Sequence, residues 1–144
     1  IRTIDKNNIL INSDWEEKKE ALGLTHYLKA DGVEAEFLTG ESDLISAAKI
    51  LKSYGPKEII ITHKDGVLVY DGENVYQEPF ILDKIVGRSG RGDTCGASYV
   101  YKRLTLNAKN SIKWAAAATS LKMESDTPLK NTIREIENRV SKYE

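Results

Sequence analysis

Three consecutive isoleucines, Ile59-Ile60-Ile61, held between Glu58 and Thr62, constrain the fold more than any other stretch of the chain. Successive side chains on a strand point to opposite faces, so an unbroken β-branched run needs apolar cover on both. The surrounding sequence offers helices for that purpose. Leu44, Ile45, Ala48, Ile50 and Leu51 recur at helical spacing and close near Gly55-Pro56. A helix over 33–38 ends at Gly40, which suits a left-handed cap. Helices are also predicted over 15–22, capped by Ser13 or Asp14, and over 93–103, 108–123 and 131–143, the last two amphipathic. A buried strand is expected at 26–29 and a further strand at 81–86. A hairpin is expected from 67–70 to 75–76 through a tight Asp71-Gly72 turn, and short strands or a hairpin within 1–12 around Asp5-Lys6-Asn7-Asn8. Strands alternating with helices predict an α/β fold, a layered sheet with flanking helices.

Composition removes several classes of function. The 144 residues suffice for one domain with a real core. Lys and Arg total 21 against 22 acids, a net charge of -1 without blocks of one sign, so no nucleic acid or anionic membrane is expected as partner. No apolar run reaches membrane-spanning length, and the N-terminus has no signal-peptide layout. A single cysteine, Cys95, excludes an internal disulfide and suits a cytoplasmic setting. With two histidines, His26 and His63, there are too few soft ligands for a usual zinc site. The chain opens on Ile1 rather than Met, as a segment or processed chain would.

Chemistry concentrates in Val86-Gly87-Arg88-Ser89-Gly90-Arg91-Gly92-Asp93-Thr94. Glycines let backbone amides approach an anion closely, and a helix starting just afterwards aims its unpaired amides and positive dipole end at the same place. A carboxylate there would repel a merely bound phosphate, yet it serves as a base for an attacking hydroxyl. Asp93 also suits a plain helix cap, the commoner use of Asp at a helix start. Arg91-Gly92-Asp93 spells an adhesion tripeptide, discounted because it sits at a loop-to-helix junction. Cys95, Trp15, Trp114 and the alanines 115–118 read as helix packing, and His26 and His63 as structural or exposed residues.

Ser89-Gly90-Arg91-Gly92-Asp93, followed by Cys95 and Ala97, resembles the C-terminal signature of the ribokinase-like (PfkB) carbohydrate kinases. Three other stretches match in that family's order. Lys29-Ala30-Asp31-Gly32-Val33-Glu34-Ala35 resembles its Asn-x-x-Glu segment, with Asp31 in place of Asn. Ile59-Ile60-Ile61-Thr62, running into Lys64-Asp65-Gly66-Val67, resembles its phosphate-touching strand end. The helix over 111–123 resembles the late helix that borders the adenine. The resemblance implies Asp93 as catalytic base and Gly90, Arg91 and Gly92 as the anion hole. It implies Thr62, Lys64, Gly66 and Ala116 against ATP, and Glu34 with Asp31 near Mg2+. A sugar or polyol would be the acceptor, and a homodimer is left open.

The departures matter equally. The strand-end loop is one residue short, with Lys64 where a glycine is usual; that lysine either meets a phosphate or points to solvent. Arg91 replaces a usual Ala, and either adds charge over the transferred group or points outward. Gly87 stands where several members carry an Asp for a monovalent cation, so potassium activation is not expected. A late glycine near Asp126-Thr127 is missing. The resemblance covers the C-terminal half of the family pattern, without the half that selects the sugar. The alternatives are a non-catalytic nucleotide- or phosphate-binding module on the same half-fold and, ranked last, a dinucleotide-binding oxidoreductase domain, whose Gly-x-Gly-x-x-Gly would stand early.

Overall fold

In the computed structural model, which describes residues 2–12 and 15–144, the isoleucine run is the central strand of a sheet covered on both faces. That strand, β4 (Glu58–Thr62), pairs in parallel with β3 (Tyr27–Asp31) and antiparallel with β5 (Gly66–Tyr70), which pairs antiparallel with β6 (Val75–Pro79). The period-2 rule sorts the core. Ile60, Val67 and Val69 point to one side, against Cys95, Tyr99, Ile112 and Ala115. Ile59, Ile61 and Leu68 point to the other, against Ala47, Ala48 and Leu51. The first side is covered by α4 (Arg91–Arg103) and α5 (Ala108–Met123), the second by α3 (Leu44–Ser53). A small antiparallel pair, β1 (Arg2–Ile4) with β2 (Leu10–Asn12), stands apart, as the turn chemistry of residues 5–8 predicts.

Helix ends follow local chemistry. Asp31 caps α2 (Gly32–Thr39) in a capping box with Glu34, and Gly40 closes it with φ 75°. Asp43 caps α3 by accepting from the Ser46 amide at 2.8 Å, and Asn107 caps α5 by accepting from the Asn110 amide at 2.9 Å. A second capping box, Thr132 with Glu135, opens α6 (Ile133–Val140), which packs on α5 through Ile136 and Trp114.

Several expectations are corrected. The first helix, α1, is only Lys18–Gly23; Trp15 lies ahead of it, and the expected caps Ser13 and Asp14 fall outside the described residues. Strand β3 is mostly half-buried, and His26 lies just before it, exposed. The hairpin turn spans the four residues 71–74, because the Asp71 carboxylate accepts from the Glu73 and Asn74 amides and holds a longer loop. No strand forms over 81–86. Its backbone is satisfied elsewhere: Ile81 N–H donates to the Tyr143 hydroxyl, Asp83 N–H to Glu124, and Val86 and Gly87 N–H to Met123 O. Helix α4 starts at Arg91, two residues before Asp93. Helix α5 is buried nearly all round rather than amphipathic, because α4, α6 and the sheet enclose it.

Candidate anion cleft at the start of α4

Strands β3 and β4 run in parallel with Asp31 opposite Thr62, so their C-terminal ends open onto the same edge. That edge is where open α/β sheets bind ligands. Gly90 caps α4 there in a left-handed conformation, φ 74°, which only glycine adopts at no steric cost. The turn consumes the Arg91 amide, which donates to Arg88 O at 3.1 Å, and the Thr94 amide, which donates to Gly90 O at 3.0 Å. Among the described residues the Gly92 and Asp93 amides have no acceptor. These are two of the orphan donors that every helix start leaves, and here they are presented to a cleft.

The cleft has a volume of about 480 Å³ and is lined by the 88–93 loop together with Lys29, Asp31 and Thr62. Three cations, Lys29, Arg88 and Arg91, line it beside two carboxylates, Asp31 and Asp93. Lys29 lies directly over Gly92, where any side chain would strike its ammonium end. The Lys29 ammonium also stands 3.8 Å from Glu34 Oε2. Thr62 is fully buried and its hydroxyl has no hydrogen-bond partner, an unsatisfied polar atom at the floor of the cleft. Asp93 is exposed on the first turn of α4, and its carboxylate makes no hydrogen bond or ion pair among the described residues. It is therefore not a cap: Gly90 holds that position, and α4 has no side-chain cap.

Of the residues picked out from sequence, Asp93, Gly90, Arg91, Gly92, Thr62 and Asp31 meet at this cleft. Lys64 lines an adjoining hollow of about 380 Å³ that shares Thr62, Arg88 and Arg91. Beside it, burial holds the His63 imidazole below its ordinary value. Glu34 and Asp31 satisfy each other's backbone amides at 2.8 Å in their capping box, so one oxygen of each is already committed. Two residues serve otherwise than expected. Gly66 opens β5 opposite Pro79, and a side chain there would strike the Glu78 carbonyl, so the glycine is required by strand pairing. Ala116 is fully buried in the core with Ile60 and Val67, because α5 turns that side toward the sheet. Cys95 is equally buried, and that burial pushes its thiol up to about 11, which makes it inert.

Lys29 and Arg88 escaped the sequence reading. A lysine at the end of a strand and an arginine within a glycine loop were legible as charges, but only the packing of α4 against β3 brings the loop ahead of that helix to Lys29. No group of three or more His, Cys, Asp or Glu side chains among the described residues forms a metal cage. Among the described residues no helix is long and apolar enough to cross a membrane.

Residues 2–130 match the model of the pfkB family carbohydrate kinases. The ribokinase of Lactococcus lactis is 30% identical over 81 residues, which are 56% of this chain and 27% of that protein. A pyrophosphate-dependent kinase in the ribokinase family, solved with a pyrophosphate analogue and myo-inositol, superposes with a TM-score of 0.83 at 38% identity, over 92% of this chain and 48% of the other. The ribokinase of Arabidopsis thaliana, solved with ribose and ATP, shares the fold with a TM-score of 0.76 at 20% identity, over 85% of this chain and 43% of the other. The chain thus spans about half the length of these solved relatives. With the family model matched over nearly its whole length, the chain belongs to the pfkB family of carbohydrate kinases.

Proposed function

We propose that the protein transfers a phosphoryl group from a phosphoanhydride donor to a hydroxyl of a sugar or sugar-like polyol, with Asp93 as the general base. One observation carries this reading. A carboxylate without a partner stands beside two unpaired amides, at a cleft that three cations also line. In a site that only held phosphate, that carboxylate would weaken binding. In phosphoryl transfer it accepts the proton of the attacking hydroxyl. The Gly92 and Asp93 amides, at the positive end of α4, face the charge on the transferred group. Lys29, Arg88 and Arg91 offset the charge of the donor.

ATP with Mg2+ is the donor that the family resemblance implies. Glu34 Oε1 and Asp31 Oδ2 remain outside the capping box and fit a hydrated magnesium, which keeps few protein ligands and, when bound, neutralises phosphate charge. The base end of ATP has less support, because Ala116 is sealed in the core. Inorganic pyrophosphate is the second reading of the donor. It is favoured by the three cations that line the cleft and by 38% identity to a kinase described as pyrophosphate-dependent.

The deciding experiment supplies the full-length protein and magnesium with either ATP or pyrophosphate. The acceptors are sugars, nucleosides and inositols, and the products are read by phosphorus NMR. Transfer from one donor alone identifies it. Asp93→Asn is expected to lower turnover on the order of 10²–10⁴-fold with donor affinity retained. Donor binding without transfer to any acceptor would leave a non-catalytic phosphate-binding module instead.

A further inference from the structure

Lys122 is a charged side chain that the mechanism above does not use. It sits near the end of α5 and is only 4% exposed. No carboxylate lies within ion-pair distance of it among the described residues, and its one hydrogen bond runs from Nζ to the Ser125 carbonyl at 3.2 Å. The other two buried charges, Glu58 and Arg139, are both paired, with Arg103 and Glu124. A lysine with so little exposed surface and no carboxylate partner relies on the Ser125 carbonyl and the C-terminal end of α5 for its charge.

Its surroundings indicate the use. A side chain added to Gly90 would meet Lys122 Cε at 3.6 Å, so the lysine stem lies beside the left-handed cap from which the anion-facing amides project. Lys122 lines a hollow of about 310 Å³ together with Gly90, Asp93 and Thr94. Asp126 lines the same hollow without pairing with it. The resident cation therefore backs the glycine loop, while Lys29 covers Gly92.

We infer that Lys122 is a positioning residue of the phosphoryl-transfer site: a built-in cation behind the Gly90 turn that favours negative charge at the loop. The inference rests on the function proposed above. The missing counter-charge is supplied by the donor, so the cost of burying Lys122 in the free protein is recovered when an anion arrives. The arrangement trades stability for function.

That trade gives the test a readout that a merely structural lysine would not produce. In the full-length protein, Lys122→Met should leave the thermal midpoint unchanged or higher, because an apolar side chain of similar length replaces a buried charge that has no carboxylate partner. Pyrophosphate binding, measured by calorimetry, should weaken. Turnover should fall about 100-fold, the size seen when one stabilising donor is lost, with little change in the KM of the acceptor. Lys122→Arg should keep most of the activity. A Lys122→Met protein that binds pyrophosphate and turns over like the wild type overturns the inference, and so does one whose thermal midpoint drops with Lys122→Arg equally impaired. If the wild type transfers phosphate from no donor, the function proposed above falls. The calorimetric comparison still decides whether Lys122 serves anion binding.

Discussion

Gly92 carries two demands at one position. Its amide is one of the two unpaired donors facing the cleft, and its missing side chain leaves the space that Lys29 occupies. The neighbour a new methyl group would meet is the flexible end of a lysine rather than backbone. Gly92→Ala should therefore change folding stability by no more than about 0.5 kcal/mol, while displacing Lys29 and weakening phosphate or pyrophosphate binding. A urea melt beside an anion titration separates the two effects. Equal loss in both would show that the glycine is structural. Asp93 differs in kind: nothing holds it, so its replacement by Asn should cost chemistry and not stability.

Among the elements, the β5–β6 hairpin is closed by a backbone approach. Gly66 lies so near the Glu78 carbonyl that no side chain fits without parting the strands. Gly66→Ala should destabilise the protein by about 1–3 kcal/mol, read as a lower urea midpoint. If instead stability holds and donor affinity falls, Gly66 belongs to the phosphate site as the family resemblance implied. Helix α5 is the opposite case, an element whose small residues let α4, α6 and the sheet all pack against it. Its four alanines 115–118 are fully buried, so close packing accounts for them. The segment 81–86 reads as a strand locally. It is drawn out of the sheet by hydrogen bonds to residues far along the chain, and from it the glycine loop reaches the edge of β3 and β4.

Across the whole molecule, one ion pair ties the C-terminal helix to the loop that leads into the site. Arg139 donates to Glu124 and to the Ile81 carbonyl, and Glu124 accepts the Asp83 amide. Burial raises the Glu124 carboxyl, but the Arg139 bonds and the Asp83 amide outweigh it and leave the group below its ordinary value of 4.5. A depressed folded value stabilises the protein above the ordinary value, and that contribution is lost as pH falls through the folded one. The thermal midpoint should therefore decline below the ordinary value of 4.5, and Glu124→Gln should flatten that part of the profile. An unchanged acid slope in the variant would remove Glu124 from the account.

Local chemistry was enough for the features that depend on neighbours in the chain. The isoleucine run required cover on two faces, Gly40 closed α2, and Gly90-Arg91-Gly92-Asp93 marked a helix start suited to an anion. Each of these follows from side-chain period or backbone freedom, which a few consecutive residues set by themselves. Contacts between distant segments decided the rest. Lys29 and Arg88 became walls of one cleft because α4 packs against β3, and Ala116 became core because α5 is enclosed. Gly66 took its role from a carbonyl in the next strand, and Lys122 from a glycine 32 positions earlier. Burial and electrostatic neighbours are properties of packing, and packing joins residues that the order of the chain keeps apart.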